Sequence, residues 1–327
     1  MKEERKRSIF KNKHWEYGGN IRVSVATAVY NMADVMPRAV ESVERQSYRD
    51  IEYIIVDDGS TDGIDQVVFP FMERASIPVM YIKKENGGVH TARNAAHCHM
   101  RGEFCIGIDA DDELVADAVQ TCLNIWDAIP EAERYKYKGV VGRTVDIEGS
   151  MIGAAFPDYI NDLPTEQLNS IISKINAEFE SMILVRVLKD HPMPEPEGVT
   201  FVTENIRWGR LNKVYRSYYV NDILRIYHTE SDNSITRSRK RTVQNVINNR
   251  WNDAFFLNHW DLYPYSSMER IRFLAHYSVM EQILRMKHRG QYQKCPLAKR
   301  NDRLICHFFY LPAVLAAMRY IHKKMKL

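Results

Sequence analysis

Between residues 21 and 108, short runs rich in β-branched and other apolar residues alternate with longer stretches in which apolar residues recur at helical spacing. Short apolar runs are typical of buried strands, and strands that alternate with helices at this pace form a mainly parallel sheet covered by helices on both faces. The sequence therefore predicts an α/β domain. Strands are predicted at 22–29, 51–56, 79–83 and 104–108, and helices at 33–45, 63–74 and 89–100.

The alternation becomes less regular beyond residue 112. A proline-rich loop occupies residues 190–198, and from about residue 238 the pattern is helical without a strand signal. We expect helices at 115–126 and 204–216 and strands at 137–147 and 219–227. The predicted organisation is a basic N-terminal tail (1–20), an α/β domain (21–235) and a helical C-terminal region (236–327).

Charge and cysteine usage limit the class of protein. The formal net charge of +3 over 327 residues is too small to indicate nucleic-acid binding. Five cysteines, an odd number without metal-ligand spacing, fit reduced thiols in a cytoplasmic protein. Basic residues concentrate in Lys2–Arg7, Arg237–Arg241 and Lys323–Lys326, which are either solvated tails or contacts to an anionic membrane surface.

The longest run without charged residues extends from Leu304 to Met318 and contains His307 and Pro312. It falls short of the roughly 20 residues that span a bilayer. Two interpretations stay open: a helix that packs on the protein core, or one that lies on the inner face of the plasma membrane.

Carboxylates follow two of the predicted strands, as Asp57-Asp58-Gly59 and as Asp109-Ala110-Asp111-Asp112. In an open α/β sheet the carboxyl ends of the strands are where ligands bind. Carboxylates crowded at that edge repel one another unless a cation holds them, and Mg²⁺ or Mn²⁺ prefers such oxygen ligands. The alternative is that the acids only complement a helix dipole or form a tight turn.

Asn86-Gly87-Gly88 precedes the third predicted helix, where two glycines let backbone N–H groups approach a phosphate. The spacing is neither that of a dinucleotide-binding loop nor that of a P-loop. Arg93, one turn into the helix, could meet the same anion, and His228 is either a surface residue or a third metal ligand beside two carboxylates.

Taken in order, six motifs of the chain resemble those of the inverting family 2 glycosyltransferases with the GT-A fold. The resemblance covers residues 21–116 firmly and 117–230 more loosely, and none is seen in the last ninety or so residues. The motifs are Val25–Asn31, Val56–Asp62, Asn86–Gly88, Ala92–Asn94, Arg101–Glu103 and Ile108–Asp112.

The resemblance implies a nucleotide-sugar donor across the carboxyl edge of the sheet. Asp109 and Asp111 would form the D-x-D pair on the ribose and on a Mn²⁺ or Mg²⁺ ion that bridges the diphosphate, with His228 as a further ligand. The residues expected around the uracil, ribose and phosphates are Thr27, Ala28, Tyr30, Asp58, Asn86, Gly87, Arg93, Asp109 and Ala110.

An inverting transferase needs one carboxylate that deprotonates the acceptor hydroxyl. The resemblance implies Glu204 as this base, since some relatives also have a Trp four residues later, as Trp208 is here. Many members have two adjacent acids at this point, whereas this chain has Glu204-Asn205.

We therefore expect a cytoplasmic, metal-dependent, inverting glycosyltransferase that uses a UDP-sugar to extend a surface polysaccharide or a lipid-linked oligosaccharide. Uridine and thymidine offer the same imide edge, so both bases stay open. The alternatives are a sugar-phosphate nucleotidyltransferase, whose Gly-rich loop after the first strand is missing from Val29–Asp34, and a nucleotide-sugar-binding or scaffolding protein with a transferase fold.

Overall fold

The computed structural model describes residues 7–16, 19–175, 177–228, 242–263, 266–288 and 296–324. The chain folds into two compact units, the first made of residues 1–192 and 214–237 and the second of residues 193–213 and 238–327. Segment 193–213 thus groups with the C-terminal helices, whereas the sequence predicts it as part of the α/β domain. The basic run at 237–241 lies outside the described residues.

The first unit is built on one mixed sheet. Its described strands are arranged in the order β1-β4-β3-β2-β5-β8-β7-β9-β6, with β2, β3, β4 and β5 mutually parallel and β7 parallel to β9. The strands are β1 Arg7–Lys11, β2 Val23–Val29, β3 Ile51–Asp57, β4 Val79–Lys84, β5 Phe104–Gly107, β6 Glu113–Leu114, β7 Tyr137–Val145, β8 Phe179–Leu184 and β9 Arg216–Ile226.

Every residue of β3 is buried, as expected for a central strand. Its apolar run is interrupted only by Glu52, which accepts hydrogen bonds from Ser24 and Arg101. The predicted α/β class is confirmed, and so are the four strands and three helices predicted between residues 22 and 108, each within about three residues of the predicted bounds. Strand β1 lies in the segment predicted as a basic tail and pairs antiparallel with β4. The helices are α1 Met36–Glu44, α2 Asp65–Arg74, α3 Val89–His99, α4 Ala118–Ala128, α5 Glu131–Arg134, α6 Thr165–Ile175 and α7 Val185–Asp190.

The strand order reverses beside β2, since β3 and β4 follow on one side of it and β5 on the other. Ligands bind outside the carboxyl ends of the strands at such a reversal. The loops that leave β2, β3, β4 and β5 at this edge carry most of the predicted donor and metal residues: Tyr30, Asp58, Asn86, Gly87 and Asp109–Asp111.

The second unit is helical where it is described. Its core includes Val202, Ile206 and Tyr263, which bring the segment before α8 against the C-terminal helices. Gly209 makes this packing possible, because a Cβ there would lie 2.2 Å from the ring of Tyr263. The helices are α8 Asn205–Val214, α9 Val243–Asn258, α10 Ser267–His288, α11 Arg300–Phe308 and α12 Tyr310–Lys324.

In the part of the chain that the structure describes, no single helix has the length and apolarity to cross a membrane. Helices α11 and α12 meet these criteria only when taken together, and they are bent by 64° at the break between them.

Candidate active site at the carboxyl edge of the sheet

Two carboxylates at the carboxyl end of β3 organise the neighbouring loops. Asp57 Oδ1 accepts a hydrogen bond of 2.7 Å from the backbone N–H of Ser60. The buried Asp58 accepts from the backbone N–H groups of Gly87 (3.0 Å) and Gly88 (2.7 Å) and pairs with the ammonium of Lys84. Asp58 therefore fixes the turn after β4, and its predicted contact with a nucleotide base stays a prediction.

Gly59 lets these two loops approach each other. Its φ of +84° is a conformation that side chains disfavour, and a Cβ there would lie 2.8 Å from the backbone nitrogen of Asn86. The Asp-Gly pair after β3 is thus needed for the contact between the loops.

The predicted donor residues on and after β2 differ in exposure. Thr27 is fully buried, with Oγ1 2.8 Å from the hydroxyl of Tyr53 and donating to the carbonyl of Ile108 at 2.9 Å. Ala28 lines a small cavity of about 40 Å³, and Tyr30 is exposed at the strand end. Thr27 therefore ties the strands together, whereas Ala28 and Tyr30 are open to a ligand.

The three aspartates after β5 also differ in exposure. Asp109 is exposed and Asp111 is half-buried, while Asp112 has no exposed surface. Asp109 Oδ1 accepts a hydrogen bond of 3.1 Å from Arg93 Nη2, and both residues line the same cavity as Ala28. The structure thus brings the predicted residues Arg93 and Asp109 together.

Arg225 lies on β9 among four carboxylates, an arrangement that was not predicted from the sequence. Its guanidinium nitrogens are 3.9 Å from Asp109 Oδ2 and 3.6 Å from an oxygen of each of Asp112, Glu178 and Glu180. Glu180 breaks the apolar pattern of β8 on a buried strand, a signal that could have indicated a buried partner of opposite charge.

Burial is the main influence on the acids beside Arg225. It raises the pKa of Asp112 to about 7 and that of Glu180 to about 7, while the positive charge of Arg225 opposes the shift in both. The raised pKa values show that one arginine compensates only partly for the buried negative charge.

His228 and Asp112 join the end of β9 to the acidic loop. The backbone N–H of His228 donates to Asp112 Oδ1 at 2.9 Å, and its ring Nε2 lies 2.9 Å from Glu113 Oε1. Asp112 therefore has a structural contact that its sequence position did not reveal. As the predicted third metal ligand, His228 would offer its other ring nitrogen, Nδ1, while Nε2 stays beside Glu113.

Within the described ranges, no cluster of three or more His, Cys, Asp or Glu side chains is arranged to hold a metal ion. Mg²⁺ is commonly bound by only one or two carboxylates, with substrate phosphates and waters as the other ligands. The exposed carboxylate of Asp109 and the half-buried one of Asp111 fit such a site, and a cage built from protein ligands alone does not.

In the second unit, Glu204 directly precedes α8. Its Oε2 accepts a hydrogen bond of 3.2 Å from the indole N–H of Trp208, which gives the Glu-Trp spacing a physical meaning. Both residues are half-buried. The carboxylate is thus held at the start of a helix and stays partly open to solvent.

Three amide side chains on one face of α9 hold the chain that leads to Glu204. Gln244 Nε2 donates to the carbonyl of Gly198 at 2.8 Å. Asn248 Oδ1 accepts from the N–H of Thr200 at 2.9 Å. Asn252 provides the third attachment, at residues 201 and 203. These contacts explain why segment 193–213 belongs to the helical unit.

Comparisons with known proteins agree with this geometry. Residues 24–185 match the family model described as "Glycosyl transferase family 2". The chain is 33% identical over 100 residues to glycosyltransferase GlyA of Streptococcus pneumoniae (31% of this chain, 14% of the relative) and 37% identical over 101 residues to chondroitin synthase of Pasteurella multocida (31% and 10%). The matches thus span a small part of these relatives.

The structure of S. aureus TarS residues 1–349 in complex with UDP-GlcNAc is similar over 94% of this chain and 93% of that one. The TM-score is 0.53 at 16% sequence identity. At this identity the likeness concerns the fold, and it confirms the predicted GT-A architecture.

Proposed function

Because residues 24–185 belong to glycosyltransferase family 2, we propose that this protein transfers a sugar from a nucleotide donor to a hydroxyl of a saccharide or lipid-linked saccharide, with inversion at the anomeric carbon. The observation that carries the proposal is the pairing of Arg93 with the exposed Asp109 at the carboxyl edge of the sheet, beside the half-buried Asp111. This edge offers a guanidinium to a diphosphate and carboxylates to a divalent metal ion that would bind the diphosphate.

We propose a UDP-sugar as the donor. The TarS complex with UDP-GlcNAc, which shares the fold, supports this choice. Tyr30 is exposed at the end of β2, where it can contact a base, and Arg93 can approach the phosphates. The other residues assigned to the donor are Ala28, Asn86, Gly87, Ala110 and, through its fixed turn, Asp58.

Asp109 and Asp111 would hold a Mn²⁺ or Mg²⁺ ion together with the donor diphosphate. Such an ion, when bound, stabilises the leaving nucleoside diphosphate as a Lewis acid. Arg225 contributes from the protein side, because its positive charge lies within 4 Å of Asp109, Asp112 and Glu180 and offsets part of their mutual repulsion.

Glu204 is the proposed general base. The hydrogen bond from Trp208 orients the carboxylate, which would accept the proton of the acceptor hydroxyl. Asn205 cannot substitute for it, because an amide does not take up a proton at neutral pH. The chain therefore relies on one acid where many family members have two.

We propose that the reaction takes place in the cytoplasm. The cysteines that the structure describes, Cys98, Cys105, Cys122 and Cys306, are free thiols, which supports a reducing compartment. Surface polysaccharide synthesis is the proposed process, in agreement with the similarity to chondroitin synthase.

A donor panel tests the proposal. Purified protein is incubated with UDP-sugars, Mn²⁺ or Mg²⁺ and saccharide acceptors, and both UDP release and product mass are measured. We expect transfer from at least one UDP-sugar. Glu204→Gln is expected to lower kcat by about 10²–10⁴-fold with unchanged UDP affinity in calorimetry. Its control is Glu197→Gln, an exposed acid in the same segment.

Asp111→Asn tests the metal assignment, with the exposed Asp117→Asn as its matched control. We expect the first variant to need much more metal for half-maximal UDP release and the second to behave as wild type. Metal-dependent release that is unchanged in Asp111→Asn contradicts the metal assignment. A protein that binds UDP but transfers no sugar would instead be a binding protein with this fold.

A further inference from the structure

Helices α11 and α12 have an inner face that packs on the other helices of the second unit. Ala317 belongs to a buried cluster with Ile283 and Leu284 of α10. Ile305 and Phe309 pack against a second cluster around Leu257 and Leu274. This inner face accounts for the interpretation of Leu304–Met318 as a core segment.

The outer face of the same helices is also apolar. Phe308 is 84% exposed, Leu311 70% and Leu315 59%, and Leu304 and Met318 are exposed as well. On α11 the exposed apolar residues 304 and 308 are about one helical turn apart. On α12 the exposed apolar residues 311, 315 and 318 have the same spacing, so each helix carries one apolar stripe. A surface helix ordinarily carries polar residues on this face, so the stripe requires an explanation.

The exposed charged side chains of residues 296–322 are basic. Arg300, Arg303 and Arg319 are exposed, whereas Asp302 is the sole acid among residues 296–322. Asp302 is buried and bonded to Arg270 of α10, so its charge is compensated inside the unit. Lys299 pairs with Asp261 at 3.5 Å, so its charge is compensated as well.

We propose that the outer face of α11 and α12 docks on an anionic lipid membrane, with the apolar stripe in the interface and the arginines at the headgroups. Charge complementarity selects this occupant, because a second copy of the chain would bring three arginines against three arginines. Bound helices of this kind combine an apolar face with basic residues, and their affinity depends on anionic lipid. The docking is independent of the proposed transferase activity.

Vesicle flotation of the full-length protein tests the docking. The probes are phosphatidylcholine vesicles with and without about one third phosphatidylglycerol. We expect binding to the anionic vesicles that weakens as salt rises, since the charges are exposed. Leu311→Ser with Leu315→Ser, and separately Arg303→Gln with Arg319→Gln, are each expected to weaken the partition by about tenfold or more.

The control replaces exposed apolar residues of the first unit, Ile147→Ser with Tyr159→Ser, and is expected to bind as wild type. All substituted side chains are exposed, so thermal unfolding midpoints should not change. Equal partition of wild type and both α11–α12 variants overturns the proposal. It is also overturned if light scattering shows a dimer that Leu311→Ser with Leu315→Ser dissociates while neither protein binds vesicles.

Discussion

The side-chain oxygen of Asn252 accepts a hydrogen bond of 3.1 Å from the backbone N–H of Thr203, the residue directly before Glu204. The amide nitrogen of Asn252 donates in turn to the carbonyl of Phe201 at 3.0 Å. The C-terminal helical region thus holds the chain that presents the proposed base. A region without resemblance to the family in its sequence therefore bears on the proposed chemistry.

Asn252→Ala is expected to lower kcat by about tenfold and to leave UDP affinity unchanged, because a small displacement of a catalytic group costs up to about 10²-fold in rate. Steady-state transfer and UDP calorimetry measure the two quantities. The exposed Asn249→Ala, on the same helix, serves as the control. An equal loss of UDP affinity in Asn252→Ala would indicate a general folding defect instead of a positioning role.

Arg225→Met is expected to destabilise the first unit by about 3–5 kcal/mol, since it leaves buried carboxylates without their partner. Urea unfolding followed by tryptophan fluorescence measures the loss. The exposed Arg186→Met should change the free energy of unfolding by less than about 0.5 kcal/mol. Adding Glu180→Gln to Arg225→Met should recover part of the stability, and no recovery would show that the charge of Glu180 is not what Arg225 compensates.

Gly59→Ala is expected to cost more stability than Gly149→Ala, although both glycines have nearly the same positive φ, +84° and +82°. At Gly149 a Cβ meets nothing within 4 Å, so the substitution measures backbone strain alone, on the order of 1 kcal/mol. At Gly59 the clash with Asn86 adds to this strain. Thermal unfolding compares the variants, and equal losses would mean that the loop beside Asn86 moves freely.

The strands and helices between residues 21 and 112 could be predicted because each is local: an apolar run, or apolar residues at helical spacing, of the right length. Strand β1 could not, because its exposed residues show no apolar pattern. Asp58 and Asp109 then lie at the same edge of the sheet, because the carboxyl ends of parallel strands share one edge. The pairing of Asp58 with the N–H groups of Gly87 and Gly88 could not be predicted, because the same sequence pattern serves a ligand contact or a turn.

Contacts between polar residues far apart in the sequence could not be predicted either. Arg225 and Glu180 lie on strands whose pairing depends on the whole sheet, and Glu178 directly precedes one of these strands. A single sequence does not indicate which of these charges meet. Likewise, the attachment of Thr200 to Asn248 needs the fold of the helical unit. Because this attachment is not visible in the sequence, segment 193–213 could not be separated there from the α/β domain.

Lys138 yields a prediction on pH. It follows the first residue of β7, at an irregularity in the pairing with β9, and is almost fully buried. Burial lowers the pKa of its ammonium to about 7, whereas the ordinary value is 10.5. The folded protein therefore binds fewer protons than the unfolded chain between pH 7 and about 10.5, and this group makes the free energy of unfolding rise with pH across that window.

Lys138→Met removes the titrating group, so the variant is expected to be more stable than wild type at pH 7 by on the order of 3 kcal/mol. The difference should shrink steadily as pH rises toward 10, because the unfolded lysine then also loses its proton. Urea unfolding of both proteins at several pH values measures the difference, in which the other titrating groups cancel. Lys136→Met, at a half-exposed lysine paired with Glu133, should show no such trend. A difference that stays constant from pH 7 to 10 would mean that Lys138 is protonated in the folded protein throughout, held by its contacts despite its burial.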